Sequence, residues 1–272
     1  MSAFTRRSSR SRINNENCLF SVFIVILFAM SSGIFFTLFY QPLYNGLIFL
    51  IGHLPWLDAG VAVILFTCLV KLLMFPLSKK SITTQMQMKR LEPELARIKE
   101  KFKDKREELA RQTMQLYRDK KINPFSGIVV VFIQIPIIFA LYWVFYKAGL
   151  PSVTTDILYS FVSVPEKINM LFLGFLDITQ KSLVLALLAA ITQYFQIRYS
   201  MPALPVSNST TPSFKDDFMK SMNIQMRYGM PVIVFFAAYG FSSVIALYWV
   251  TSNLFAIGQE IYIRNHRSAL KG

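Results

Sequence analysis

The chain is predicted to fold as an all-α, polytopic membrane protein, and three observations carry that reading. Hydrophobic residues make up 54% of the 272, phenylalanine alone numbers 25, and mean hydropathy is +0.43, all high for a soluble domain. The apolar residues fall in runs of about 15 to 23, the length range of membrane-crossing helices. The net charge of +14 is held in blocks. Arg6, Arg7, Arg10 and Arg12 precede the first apolar run, and fourteen Lys and Arg residues lie from Lys79 to Lys121. Basic blocks of this kind mark the cytoplasmic flanks of membrane spans.

Taken in order, residues 1–17 are polar and rich in Arg and Ser, and read as a disordered basic cytoplasmic arm. Residues 18–40 form an N-terminal transmembrane helix; the run is too long for a signal peptide and no small-residue cleavage site closes it. Residues 41–56 carry no Lys or Arg, and their Pro, Gly and Trp content suggests an outer interfacial amphipathic helix. Residues 57–77 are a core span ending at Pro76, and Lys79 and Lys80 place that end in the cytoplasm.

Residues 78–121 change character. Met88, Leu91, Leu95, Ile98 and Phe102 follow a 3,4,3,4 spacing, which is one apolar stripe along a helix. A polar break at 103–105 and a weaker stripe through Leu109 and Leu116 complete a cytoplasmic helical hairpin, with Pro93 a kink or a restart. Core spans follow at 125–146, interrupted by Gln134 and Pro136, and at 181–199, with an outer loop at 147–180 between them. The apolar pieces of that loop, such as 168–176, are expected to rest on the membrane surface. A cytoplasmic loop at 200–227, a short core span at 228–239, an outer turn, a last core span at 244–263 and a basic cytoplasmic tail at 264–272 complete the chain. Both termini then lie inside, and only Lys71, Lys147, Lys167 and Lys181 fall away from the cytoplasmic side. No fixed-period repeat stands out, which argues against an inverted-repeat transporter.

Lys71 is the charge that needs explaining. A lysine inside a membrane span costs roughly 3 kcal/mol on insertion scales. A buried partner, a water-filled cavity or a stem reaching back to the interface would offset that. No Asp or Glu lies at the matching depth of another span, which favours a wet cavity. Thr67 lies four residues earlier, on the same helix face. Thr192, Gln193 and Gln196 fall in the inner half of one span, and Thr251, Ser252 and Asn253 in the middle of another. Each alone is ordinary helix-packing glue; together they would line one concavity open to the cytoplasm.

Other chemistries find little footing. The spans hold no nucleophile–base pair and no acidic pair, so an enzyme is not expected. Cys18 and Cys68 lack CxxC spacing, and His53 and His266 stand alone, so no metal or cofactor is expected. The basic blocks lack aromatic interleaving, which points to anionic lipid and away from DNA.

The residues also resemble a known family. TCLVKLLMFPLSKK leads into the charged hairpin, QLYRDKKINPFSG follows it, QIPIIFALYWVF lies in the next span, and ALYWVTSNLFAIGQE comes late in the chain. In this order, across about 44–265, these runs are similar to the YidC/Oxa/Alb family of membrane-protein insertases. The resemblance implies a five-helix insertase core, with an N-terminal transmembrane helix and the cytoplasmic hairpin added, in a bacterial cytoplasmic (inner) membrane. It implies a cytoplasm-open hydrophilic groove that takes in the polar part of a nascent membrane protein and releases the chain to lipid. The family's groove cation falls on Lys71, its groove threonine on Thr67, its substrate-contacting aromatic on Trp249, and its required hairpin on 78–121. Nascent membrane proteins and the ribosome are the implied partners, with the Sec translocon open.

The chain departs from the family pattern at several points. Lys71 stands where arginine is usual, and Ser242 and Val244 where the last outer turn usually has Pro and Gly. A large outer domain between the first two spans and a lipoprotein cysteine are both missing from the pattern. A secondary transporter using Lys71 as a substrate or proton site, and a non-inserting assembly scaffold, remain as alternatives.

Overall fold

The computed structural model describes residues 33–54, 56–102, 105–123, 126–146, 150–200 and 224–269. The basic arm at 1–17, most of the span expected at 18–40, most of the loop at 200–227 and the last three residues lie outside the described residues. What is described is mostly helical, with one two-stranded antiparallel hairpin.

The first described helix, α1, runs Gly33–His53, π-helical over Phe36–Tyr40 and α-helical over Gln41–His53. The structure therefore corrects the expected boundary at residue 41, where an interfacial helix was to begin. Residues 41–53 continue the preceding helix and lie in the core, with Leu43, Tyr44, Leu47, Ile48 and Ile51 buried. The 3- and 4-residue spacing of these side chains makes one packing face, and that face meets the helices at Ala59–Leu73 and Ser126–Tyr146.

Helix α2, Ala59–Leu73, is N-capped by Asp58, whose Oδ1 accepts from the Val61 N–H at 2.8 Å. It stops at Met74, and α3, Phe75–Arg90, leaves at an angle of 63°. Pro76 sits at the start of α3, where its missing N–H removes the bond that would have carried α2 onward. The expected straight span at 57–77 is thus 15 residues of helix and a bend.

The hairpin is also more segmented than a single stripe implies. Met88 lies on α3, Leu91 is buried at a second break, and Leu95 and Ile98 lie half-buried on α4, Glu92–Lys101. Phe102, half-buried, ends it. Pro93 restarts the chain as α4, sitting in the first turn where a helix tolerates it. Helix α5, Arg106–Asp119, returns along α4, and Lys120 meets Glu94 at 3.1 Å across the base of the pair.

Helix α6 is Ser126–Tyr146, α7 is Leu183–Ser200, α8 is Met230–Gly240 after a π-helical turn at Gln225–Gly229, and α9 is Ser243–Ala269. Helix α9 is central, packing against α2, α3, α6, α7 and α8. Two apolar cores result. One joins α1, α2, α6 and the start of α9; the other joins α7, α8 and α9.

The loop after α6 closes one end of this bundle. Asn45, 1% exposed, uses its whole amide to hold the loop: Nδ2 donates to the carbonyls of Gln41 and Ile157, and Oδ1 accepts from the Tyr159 N–H. The Tyr44 hydroxyl accepts from the Thr154 N–H at 2.8 Å. Further on, β1 (Leu171–Phe172) and β2 (Leu176–Asp177) pair across a tight turn whose residues Leu173 and Gly174 take φ of 53° and 80°. Phe172 lies so close over Gly60 that a Cβ there would meet its ring at 2.5 Å. The loop ends stitched to the start of α9, where the Ser243 and Val244 N–H groups donate to Gln180 and Ile178.

Candidate functional site

Lys71 belongs to the last turn of α2, not to the middle of a span. The bend at Met74 puts it beside the helix's unpaired carbonyls, where a cation is favoured by the helix dipole. The stem and the charge have separate surroundings. Leu65, Leu69, Leu72 and Leu73 are 43–73% exposed on one face of α2. Thr67 and Lys71 lie on the other, in a small open pocket with Leu43, Phe66, Val70, Ile137, Leu141 and Tyr248.

The lysine has a neutral partner. Its Nζ donates to Gln134 Oε1 on α6 at 3.0 Å, and Gln134 Nε2 donates to the Tyr248 hydroxyl on α9. Ser252 lies one turn on along the same face of α9. Gln259 Nε2 reaches the Lys71 carbonyl at 3.4 Å, answering one of the orphan acceptors at the helix end. The result is a polar track from α2 through α6 to α9, with a half-buried ammonium at one end.

A second polar row faces the other way. Asn253 Nδ2 donates to the Thr192 hydroxyl at 3.3 Å and approaches the Ala189 carbonyl, both on α7. Gln193 Nε2 donates to Gln196 Oε1, and Gln196 Nε2 donates to the Ser200 hydroxyl. The Ser200 hydroxyl donates to Glu260, which is 2% exposed and pairs with Arg264 at 2.6 Å. Arg264 also donates to the Tyr199 carbonyl.

Helix geometry explains the split. At about 100° per residue, Tyr248, Ser252 and Gln259 fall within one narrow arc of α9, and Asn253, Glu260 and Arg264 within another roughly 120° away. Trp249 lies between these arcs, half-buried and packed against both apolar cores.

The residues singled out from sequence are therefore not one cluster. Lys71, Thr67 and Ser252 share the first row; Gln193, Gln196 and Asn253 share the second; Trp249 stands between. Thr251 turns its hydroxyl back to the Leu247 carbonyl, as Thr67 does to Val63. Gln134, read at first only as an interruption, and Tyr248, Gln259 and Glu260 were missed. The signal for the last three was the 4- and 7-residue spacing of polar side chains along α9.

With this geometry in view, the chain can be set beside known proteins. Residues 51–269 match the 60Kd inner membrane protein family. The chain belongs to the YidC/Oxa/Alb family. Proteins described as membrane protein insertase YidC from Francisella tularensis subsp. novicida (strain U112), subsp. tularensis (strain SCHU S4 / Schu 4) and subsp. holarctica (strain LVS) are each 32% identical to it over 211 residues. That aligned stretch is 77% of this chain and 33% of each relative. The chain thus spans well under two thirds of the length of the curated relatives it matches.

The matched region begins within α1 and takes in both rows of α9 and the α4–α5 hairpin. By length and composition, α1 is the one described helix able to cross a membrane alone, and α2 with α3 passes the same test as a bent pair.

Proposed function

We propose that this chain is a membrane-protein insertase and chaperone of a bacterial inner membrane, with several spans and both termini in the cytoplasm. The groove takes the polar part of a nascent membrane protein from the cytoplasmic side, while the apolar part slides past the exposed leucines of α2. The observation that carries this reading is the two-faced α2, with Lys71 held by a neutral glutamine on one side and a row of exposed leucines on the other.

The physics follows from that pairing. A carboxylate partner would cancel the charge of Lys71, whereas Gln134 only orients it, leaving the positive potential for an incoming acidic segment. The polar rows of α9 supply hydrogen bonds that a translocating backbone would otherwise lose in lipid. Trp249 between the rows offers an aromatic contact surface with one polar N–H. The basic hairpin lies where ribosomal RNA or anionic lipid would be attracted through screened electrostatics.

The relatives' printed name, and their likeness over the matched region, support the same reading. The test is site-specific crosslinking from Trp249 and Gln196 to a ribosome-bound nascent membrane protein. Adducts at both positions are expected. A transporter or a non-inserting scaffold would give none, and their absence overturns the reading.

A further inference from the structure

The outer hairpin β1–β2 has a feature that the groove does not use. Its side chains alternate as strands dictate, and the inward members, Phe172 and Leu176, pack against the core of α7–α9 together with Ile64 of α2. Asp177 stands opposite Leu171 on the outward face, and the rest of the exposed edge is apolar. Leu171 is 46% exposed, Leu173 61% and Phe175 76%, although a hairpin on an aqueous surface would carry polar residues there. No charged residue lies between Leu171 and Leu176.

These side chains cannot turn inward to hide. Phe172 fills the space over Gly60, the Leu173 N–H donates to Asp58 Oδ2 at 3.1 Å, and Asp177 is tied to the Thr179 hydroxyl and N–H. The tight turn is held with its apolar edge outward. Leu173 keeps a left-handed φ that a leucine rarely adopts.

What lies next to the hairpin identifies the occupant. Phe172 of its inward face covers Gly60 in the first turn of α2, and α2 and α7 both carry exposed apolar rows: Leu65 and Leu69 on α2, Leu183, Leu187 and Ile191 on α7. The apolar tip thus adjoins α2, a helix with an exposed apolar row of its own.

We propose that the β1–β2 hairpin is a membrane anchor whose tip, Leu171, Leu173 and Phe175, inserts at the headgroup–acyl boundary of the outer leaflet. It rests on the reading that α2 and α7 face lipid. Shallow insertion suits its size: three apolar side chains on a turn bury to the depth of an interfacial element, not of a span. The anchor would fix the closing loop, and through Gly60 and Asp58 the start of α2, at a set height in the bilayer.

The experiment uses the full chain with Cys18→Ser and Cys68→Ala, one copy per nanodisc of phosphatidylethanolamine and phosphatidylglycerol. An environment-sensitive nitrobenzoxadiazole label is attached in turn through Phe175→Cys, Leu171→Cys, Ser152→Cys and Leu187→Cys. Lipids carrying a spin quencher near the headgroup or deep in the chain report depth.

The label at 175 and at 171 is expected to be quenched several-fold more than at the solvent-exposed Ser152, and best by the shallow quencher. Leu187 is expected to favour the deep one. Quenching at 175 and 171 no greater than at 152, with Leu187 quenched, overturns the anchor alone. An unquenched Leu187 overturns the lipid-facing reading beneath it. Blue-shifted emission at 175 without lipid quenching means protein covers the tip, and overturns the anchor too.

Discussion

The two polar rows of α9 are built from similar residues and behave as opposites. Toward α7, Glu260 is closed in by Arg264, Ser200 and, through them, the Tyr199 carbonyl and Gln196, so its carboxylate has both a charged and a polar answer. Toward α2, the charge of Lys71 is met by one neutral amide, itself held by a phenol. The first arrangement resembles a clasp, in which charge is neutralised and geometry is fixed. The second leaves charge uncancelled beside an open pocket. Stability should therefore concentrate on one side and activity on the other.

The largest effect expected is on activity. Lys71→Glu reverses the potential of the pocket and should abolish insertion of substrates with acidic translocated segments in a depletion-rescue assay, whereas Lys71→Arg retains it. Full rescue by Lys71→Glu would erase the distinction between the rows. The mirror experiment is Glu260→Ala, which leaves Ser200 without its acceptor and Arg264 with only the Tyr199 carbonyl. It should lower stability by about 2 kcal/mol, the scale of charge-assisted hydrogen bonds, read as a lower midpoint of thermal unfolding in detergent.

Tyr248→Phe sharpens the comparison further. It removes the acceptor that orients Gln134, and should cost about 1 kcal/mol while lowering insertion partially, since Lys71 keeps its charge but loses a fixed position. Equal loss of activity in Tyr248→Phe and Lys71→Ala would mean that orientation, not charge, governs the pocket. The smallest effect belongs to the exposed pair at the hairpin base. Lys120→Ala should change stability by no more than about 0.5 kcal/mol and less at high salt, as surface ion pairs do.

Much of the helical layout was readable from residue order alone, because apolar run length and basic flanks are local properties. The position of Lys71 was not. It was placed inside a straight span at 57–77, and the break at Met74, one residue past Leu73, moves the charge to a helix end. Residues 41–53 misled for a related reason: lacking charge and carrying Pro42, they have the composition of a surface helix, and only packing against α2 and α6 shows them buried. The pairing of Lys71 with Gln134, 63 positions away, is of another kind. Periodicity gives the face on which a side chain lies, never the helix that will meet it.

The bend at Met74 has a mechanical consequence. Helix α3 is 16 residues long, an arm of about 24 Å, and the α4–α5 hairpin hangs from its far end. The near end is continuous with the turn that carries Lys71. A change of about 10° in the bend would sweep the hairpin base through about 4 Å along that arm. Any movement at that turn would thus be magnified at the α4–α5 hairpin, along an arm that pivots three residues from the charge.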